Sequence, residues 1–153
     1  MRILGMSRLS WCSVTTFIIM YKDLRLPAKQ AWQADEQKLQ LECSKWLKKF
    51  LHTSNEPQLY YHVPNERKAT MAQMARLKAQ GVLSGVSDVV LPLRSGEFSG
   101  IYCELKKAGG SPSPEQKKFL NSVAKEGYLA IIINDIETFK RVFTYYIEQR
   151  KQK

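Results

Sequence analysis

Gly85-Val86-Ser87-Asp88-Val89-Val90-Leu91-Pro92-Leu93, then Arg94 to Ser99, then Gly100-Ile101-Tyr102-Cys103-Glu104-Leu105-Lys106 is the stretch whose reading decides the fold. Asp88 opens an apolar run, residues 94–99 have loop composition, and Gly100 to Lys106 forms a return strand. A hairpin turning about Gly96-Glu97 sets Asp88 nearly opposite Glu104. Directly opposed residues lie about 4.5–5.5 Å apart at Cβ, close enough for two carboxylates to share one cation. Glu104 and Lys106 are two apart, so on a strand they point to one face, while Ile101, Cys103 and Leu105 point to the other, toward a core. The polar face then collects two acids and a lysine, the makings of a hard-cation site with a positive neighbour. Taken singly, each piece also has an ordinary reading. An Asp at a strand entrance is a common turn residue, and Glu-x-Lys is a common solvated ion pair.

The rest of the composition narrows the partner. The chain has 153 residues, a length that suits one domain with a real core. Lys plus Arg number 24 against 14 for Asp plus Glu, an excess of +10 that favours a polyanion, most simply nucleic acid. No long basic amphipathic helix with an aromatic face stands out, which argues against a membrane-surface role. Cys12, Cys43 and Cys103 are odd in number and widely spaced. That argues against a disulfide framework and a structural zinc site, and it points to a reducing cytoplasm. The apolar segment Ser13 to Tyr21 is far shorter than the roughly 20 residues a spanning helix needs. No small-x-small cleavage site follows it. Residues 1–33 are expected to be a leader, either an added strand or a poorly ordered extension, with residues 34–153 as the functional domain.

Along that domain, Ala34 to about Leu51 has helical periodicity, with Leu39, Cys43, Trp46, Leu47 and Phe50 on one stripe. Glu36 lies on the same stripe, as a favourable first-turn charge or as a carboxylate aimed at an internal site. Leu59 to Val63 predicts a short strand, and Lys68 to Gln80 a second helix ended by Gly81. Asn65 and Glu66 either cap that helix or line a site. Arg67, Lys68, Arg76 and Lys78 form a phosphate-facing side or a solvated basic face. Gly81 to Gly85 predicts a flexible approach to Asp88. Ser113-Pro114-Glu115-Gln116 starts a helix with Ser as cap, Pro at its first position and Gln116 closing a capping box; Gly127 stops it. Tyr128 to Ile133 reads as a central strand covered on both faces. Asn134 or Asp135 caps a last helix that buries Ile136, Phe139, Val142, Phe143, Tyr146 and Ile147. The expected fold is α/β, a mixed central sheet flanked by helices on both faces. His62 reads as a packed or hydrogen-bonded strand residue, and Trp46, Tyr60 and Tyr61 as core or interface.

Glu36, His62-Val63-Pro64-Asn65-Glu66, Gly81…Gly85-x-x-Asp88, Glu104-x-Lys106, Ser113-Pro114-Glu115-Gln116 and Gly127-Tyr128 stand in the order of the VRR-NUC domain, which the chain resembles from about Asp35 to Gln149. That domain is a branch of the PD-(D/E)XK nuclease superfamily, so the resemblance implies its restriction-endonuclease-like core. It further implies Mg²⁺ or Mn²⁺ held by Asp88, Glu104 and the Leu105 carbonyl, with Glu36 completing the cluster directly or through water. Lys106 would orient or deprotonate the attacking water, and Gln116 would lie near the scissile phosphate. Arg67, Lys68, Arg76, Lys78 and Lys107 would meet the DNA backbone. The family usually carries Pro before the aspartate; Ser87 replaces it here, which loosens the approach without removing a ligand. The implied activity is a metal-dependent DNA endonuclease, selective for branched DNA such as four-way junctions and acting as a homodimer in a phage or bacterial host cytoplasm. The alternatives are a flap or linear-DNA nuclease on the same site, or a DNA-binding module with a degenerate one.

Overall fold

The computed structural model describes residues 36–63 and 70–151. The leader 1–33, Asn65, Glu66, Arg67 and Lys68 lie outside the described residues. The elements are α1 (Glu36–Thr53), β1 (Tyr61–His62), α2 (Met71–Ala79), β2 (Val89–Leu91), β3 (Ile101–Leu105), α3 (Pro114–Lys125), β4 (Leu129–Ile133) and α4 (Ile136–Arg150). The strands make one mixed sheet in the order β1-β2-β3-β4. The first two pairings are antiparallel and the last parallel.

The hairpin follows the expected register. Val89 pairs with Cys103 and Leu91 with Ile101, so the next pair outward is Asp88 with Glu104. A tight turn closes it, with Ser95 and Phe98 exchanging backbone bonds at 3.0 Å and Gly96 at φ 57°. The turn is anchored to the far end of α4. Ser95 Oγ donates to the Tyr146 carbonyl at 2.6 Å, and the Tyr146 hydroxyl donates to the Leu93 carbonyl at 2.6 Å. Arg150 donates to the Arg94 carbonyl at 2.6 Å and to Glu56 at 3.0 Å. These bonds fix the hairpin's tilt from the end opposite Asp88 and Glu104.

Side-chain alternation divides the helices between the two faces. Ile101, Cys103 and Leu105 are fully buried on the side where α1 packs against β3 and α4. There α1 contributes Leu39, Cys43, Leu47 and Leu51, and α4 contributes Phe139, Val142, Phe143, Tyr146 and Ile147. Trp46 stacks on Phe50 with centroids 4.7 Å apart and meets Phe139 edge-on at 6.0 Å. Tyr102 points the other way, edge-on to Phe119 of α3 at 5.5 Å and to Tyr128 at 5.1 Å. Glu104 shares that face and lies beneath α3.

Three expectations are corrected. First, the second helix does not begin at Lys68. Thr70 is extended, accepts the Gln73 amide and receives the Gln73 side chain in return, so this capping box starts α2 at Met71. Second, the strand expected over 59–63 is shorter at its start: Tyr61 and His62 pair with β2, and Val63 N–H adds one bond to the Asp88 carbonyl at 3.1 Å. Continued pairing would set Leu59 against Pro92, which has no N–H to give the ladder. Third, among the described residues β4 is an edge strand rather than a central one, with Ile132 37% exposed. A run of apolar residues reports covered faces, whereas a strand's place in the sheet is set by backbone edges that side chains do not encode. No helix among the described residues is long and apolar enough to cross a membrane.

Ser87, the residue in the usual proline position, is fully buried, and its hydroxyl finds no hydrogen-bond partner among the described residues. An unmet buried hydroxyl costs free energy that an apolar group would not. Ser87→Ala is therefore expected to raise unfolding stability by about 1 kcal/mol in urea melts. A loss of stability would mean that the hydroxyl is bonded in solution.

Candidate active site

Four elements converge at the end of β3. Glu36 is the first residue of α1, Asp88 precedes β2, Glu104 and Lys106 come from β3 and its exit, and Gln116 lies in the first turn of α3. Ligand atoms of Glu36, Asp88 and Glu104 all lie within 4.8 Å of one another. The two readings of Glu36 merge: it is a first-turn acid, and its Oε1 accepts from Lys106 Nζ at 2.8 Å.

Glu104 is the centre of the arrangement. It is completely buried, and its Oε1 meets Lys106 Nζ at 2.8 Å and accepts a hydrogen bond from Gln116 Nε2. Its Oε2 is buried with no hydrogen-bond partner among the described residues. Asp88 turns Oδ2 onto the Leu105 N–H at 2.9 Å. This bond locks the aspartate to the strand that carries Glu104.

Gln116 holds two structures at once. Its Oε1 accepts from the Ser113 N–H at 2.8 Å, and its own N–H donates to Ser113 Oγ at 3.2 Å, closing the box that starts α3. Its Nε2 is thereby aimed at Glu104. Pro114 supplies the preset φ of a first helical position.

Burial pushes the Glu104 carboxyl up to about 7; the Lys106 hydrogen bond opposes this and the Asp88 charge adds to it. Asp88 is also raised, first by burial, against the Leu105 N–H and the Lys106 charge. Burial alone would lower Lys106, but its bonds to Glu104 and Glu36 outweigh that and raise it. The lysine is therefore held as an ammonium. One ammonium among three crowded carboxylates leaves the cluster short of positive charge. Hard carboxylate oxygens, one of them buried and unpartnered, fit a hard divalent cation.

The glycine approach to Asp88 is less free than its composition implies. Gly85 has φ +79°, and a Cβ there would lie 2.7 Å from the Glu115 carbonyl carbon and 2.9 Å from the Gln116 nitrogen. Only glycine lets this loop lie against the first turn of α3. Sequence reading missed that contact; the spacing of Gly81 and Gly85 was its only trace. His62 is hydrogen-bonded as expected, with Nδ1 2.7 Å from the Asp88 carbonyl and against Gln40, but it is exposed rather than packed. Tyr60 is half-buried, its hydroxyl 3.3 Å from the Ser44 carbonyl, while Tyr61 is exposed. Arg76, Lys78 and Lys107 are exposed and form no ion pair among the described residues.

Comparison with known proteins gives this geometry a context. The VRR-NUC domain family matches residues 26–134. A solved structure described as a VRR_NUC domain protein superposes with a TM-score of 0.65 at 25% identity, over 79% of this chain and 93% of that one. No curated protein matches the sequence.

Two outcomes are expected from the site's geometry. Glu104 has a folded-state pKa raised from 4.5 to about 7, so over that window the native state keeps a proton that the unfolded chain releases. Metal-free stability should therefore fall as pH rises from 4.5 to about 7 and then level off. Tm measured against pH in chelator should show this decline, and Glu104→Gln should flatten it. A Tm that rises across the window in the wild type would contradict a buried, protonated Glu104. Gly85→Ala should force the loop off α3, part Gln116 from Glu104 and lower the Tm, with divalent-cation affinity at least tenfold weaker by calorimetry. Unchanged affinity would show that the close approach is dispensable.

Proposed function

Given that the chain belongs to the VRR-NUC domain family, a family of nuclease type, we propose that it is a divalent-metal-dependent DNA endonuclease hydrolysing phosphodiester bonds, with selectivity for branched DNA. The observation that carries the reading is the state of Glu104. One oxygen is fixed by Lys106 and Gln116, and the other is buried, unpartnered and within reach of Glu36 and Asp88.

Asp88 and Glu104 would hold Mg²⁺ or Mn²⁺ with the Leu105 carbonyl, and Glu36 would complete the set directly or through water. Bound there, such an ion polarises a phosphoryl oxygen and lowers the pKa of water. The protein's own groups do the rest. The Leu105 N–H keeps Asp88 in place. Gln116 and Lys106 orient the Glu104 carboxylate. Lys106, protonated between Glu36 and Glu104, is suited to orient the attacking water and to balance negative charge as the five-coordinate phosphorus develops. That state favours an orienting role over proton abstraction. Gln116 and the first turn of α3 would face the scissile phosphate, where helix-end N–H groups favour an anion.

Branched-DNA selectivity and a homodimer are part of the proposal. The net charge of +10 supports a polyanionic substrate, and two sites related by a two-fold axis would address two strands of a junction. Lys107, with Arg76 and Lys78, is assigned to the DNA backbone. Arg67 and Lys68 join them, and Asn65 and Glu66 are assigned to the site's rim, on their sequence positions.

The test is cleavage of labelled four-way-junction, flap, linear duplex and single-stranded DNA with Mg²⁺, Mn²⁺ or chelator. Metal-dependent cutting of the junction is expected, with Glu104→Ala and Lys106→Ala at least 10³-fold slower while still binding DNA. Gln116→Glu keeps the capping chemistry but replaces the donor to Glu104 with a carboxylate, so it should cut at least 100-fold slower and lower the Tm in chelator. A fully active Glu104→Ala would sink the nuclease assignment. Equal cutting of all substrates would keep the chemistry and remove the junction claim. Binding without cutting would move the chain to the DNA-binding alternative.

A further inference from the structure

The segment joining β1 to β2 is built unlike the rest of the described chain. Its helix α2 buries no residue completely. Nine large hydrophobic side chains are exposed among the described residues, and six fall between Leu59 and Leu83. Four of these belong to α2 and the loop after it: Met71 is 90% exposed, Met74 38%, Val82 53% and Leu83 60%. Such an apolar concentration on one short element marks an interaction surface rather than scattered exposure.

This surface has a defined shape. Gly81 N–H bonds the Lys78 carbonyl at 3.0 Å and Val82 N–H bonds the Leu77 carbonyl at 2.9 Å, closing the end of the helix as a Schellman motif. Thr70 and Gln73 close the other end. Val82 and Leu83 are thus fixed just beyond the helix end. Gly85, two residues later, lies against the first turn of α3, which carries Gln116 and so Glu104. The exposed surface is tied to the wall of the acid cluster by a few residues of backbone.

Charge selects the occupant. Between Thr70 and Ser87 there is no acidic residue, while Arg76 and Lys78 are exposed. On a helical projection Lys78 falls between Met71 and Met74. A second copy meeting this face would bring like charges together in a chain already at +10. A nucleic acid instead offers phosphates to Lys78 beside the methionines and to Arg76 on the helix's other side, and apolar base faces to the methionines and to Leu83.

We propose that α2 and its following loop form an apolar wedge with a cationic rim, which receives unstacked bases at the branch point of a DNA substrate and presents the adjoining phosphate to the acid cluster. The proposal rests on the nuclease reading and gives a cause for its branch selectivity. Bases hidden in a duplex stack offer such a wedge nothing, whereas bases at a junction or fork are already partly unstacked, and separating them costs least.

The test reads base unstacking, not cleavage. Four-way-junction and fork DNAs carrying 2-aminopurine at the branch point are titrated with full-length Glu104→Ala protein in chelator, alone and with Met71→Gln, Met74→Gln and Leu83→Gln added together. No residue of α2 is fully buried, so these changes should leave the Tm unaltered. The parent should raise 2-aminopurine fluorescence severalfold at the branch and not within a duplex arm. The wedge variant should lose at least fivefold of that rise. In the otherwise wild-type chain it should lose junction cutting. Arg76→Gln with Lys78→Gln should reduce the salt slope of binding by about 1.8. No fluorescence rise with the parent, or an undiminished rise with the wedge variant, would overturn the proposal. A wedge variant that sediments as a smaller species would overturn it too, assigning the surface to a second copy. Unstacking without cutting by any variant would leave the wedge standing and sink the nuclease reading.

Discussion

The carboxylate of Glu104 has been taken wholly out of water, and the local structure is arranged around that fact. A buried carboxylate is tolerated only when charges and donors surround it. Lys106 and Gln116 share one of its oxygens. Each of those partners is in turn held elsewhere, Lys106 by Glu36 at the start of α1 and Gln116 by the cap of α3. Through one oxygen, a strand and two helix ends are tied to one another. The other oxygen is left for a ligand, and the raised pKa of the group shows how incompletely the protein alone compensates its charge.

The sheet gives this arrangement its precision. Asp88 and Glu104 sit across a hairpin whose turn is bonded to the end of α4, so a slip of one residue would break the turn contacts and turn both acids to the opposite face. The Asp88 to Leu105 bond reinforces the same register from the site's side. Behind the hairpin, α1 and α4 fill the apolar face, and α3 covers the other. The acids are therefore carried by strands and helices, with the loop at Gly85 lying tight against the first turn of α3.

Close packing on three sides contrasts with the exposed apolar side chains of α2 and the loop after it. The hydrophobic residues of α2 follow helical capping rules at both ends but reach no core. Local sequence was enough to form the helix. It could not say that no residue of the helix would be fully buried, because burial depends on what the rest of the chain places nearby.

Local and near-local signals determined much of this protein from sequence alone. The hairpin register followed from the positions of Asp88, Gly96 and Glu104, since strand alternation and turn position are counted along the chain. The start of α3 followed from Ser113, Pro114 and Gln116, since a capping box spans four residues. The buried stripes of α1 and α4 followed from helical periodicity. Tertiary structure alone decided the rest: that β4 lies at the edge of the sheet formed by the described residues, that α2 begins only at Met71, that Gly85 meets the backbone of α3, and that Gln116 and Lys106 converge on one oxygen of Glu104. The edge and convergence results share a physical cause. Backbone edges, close approaches and the sharing of one atom by distant residues are set by three-dimensional closure, and no spacing along a single chain encodes them.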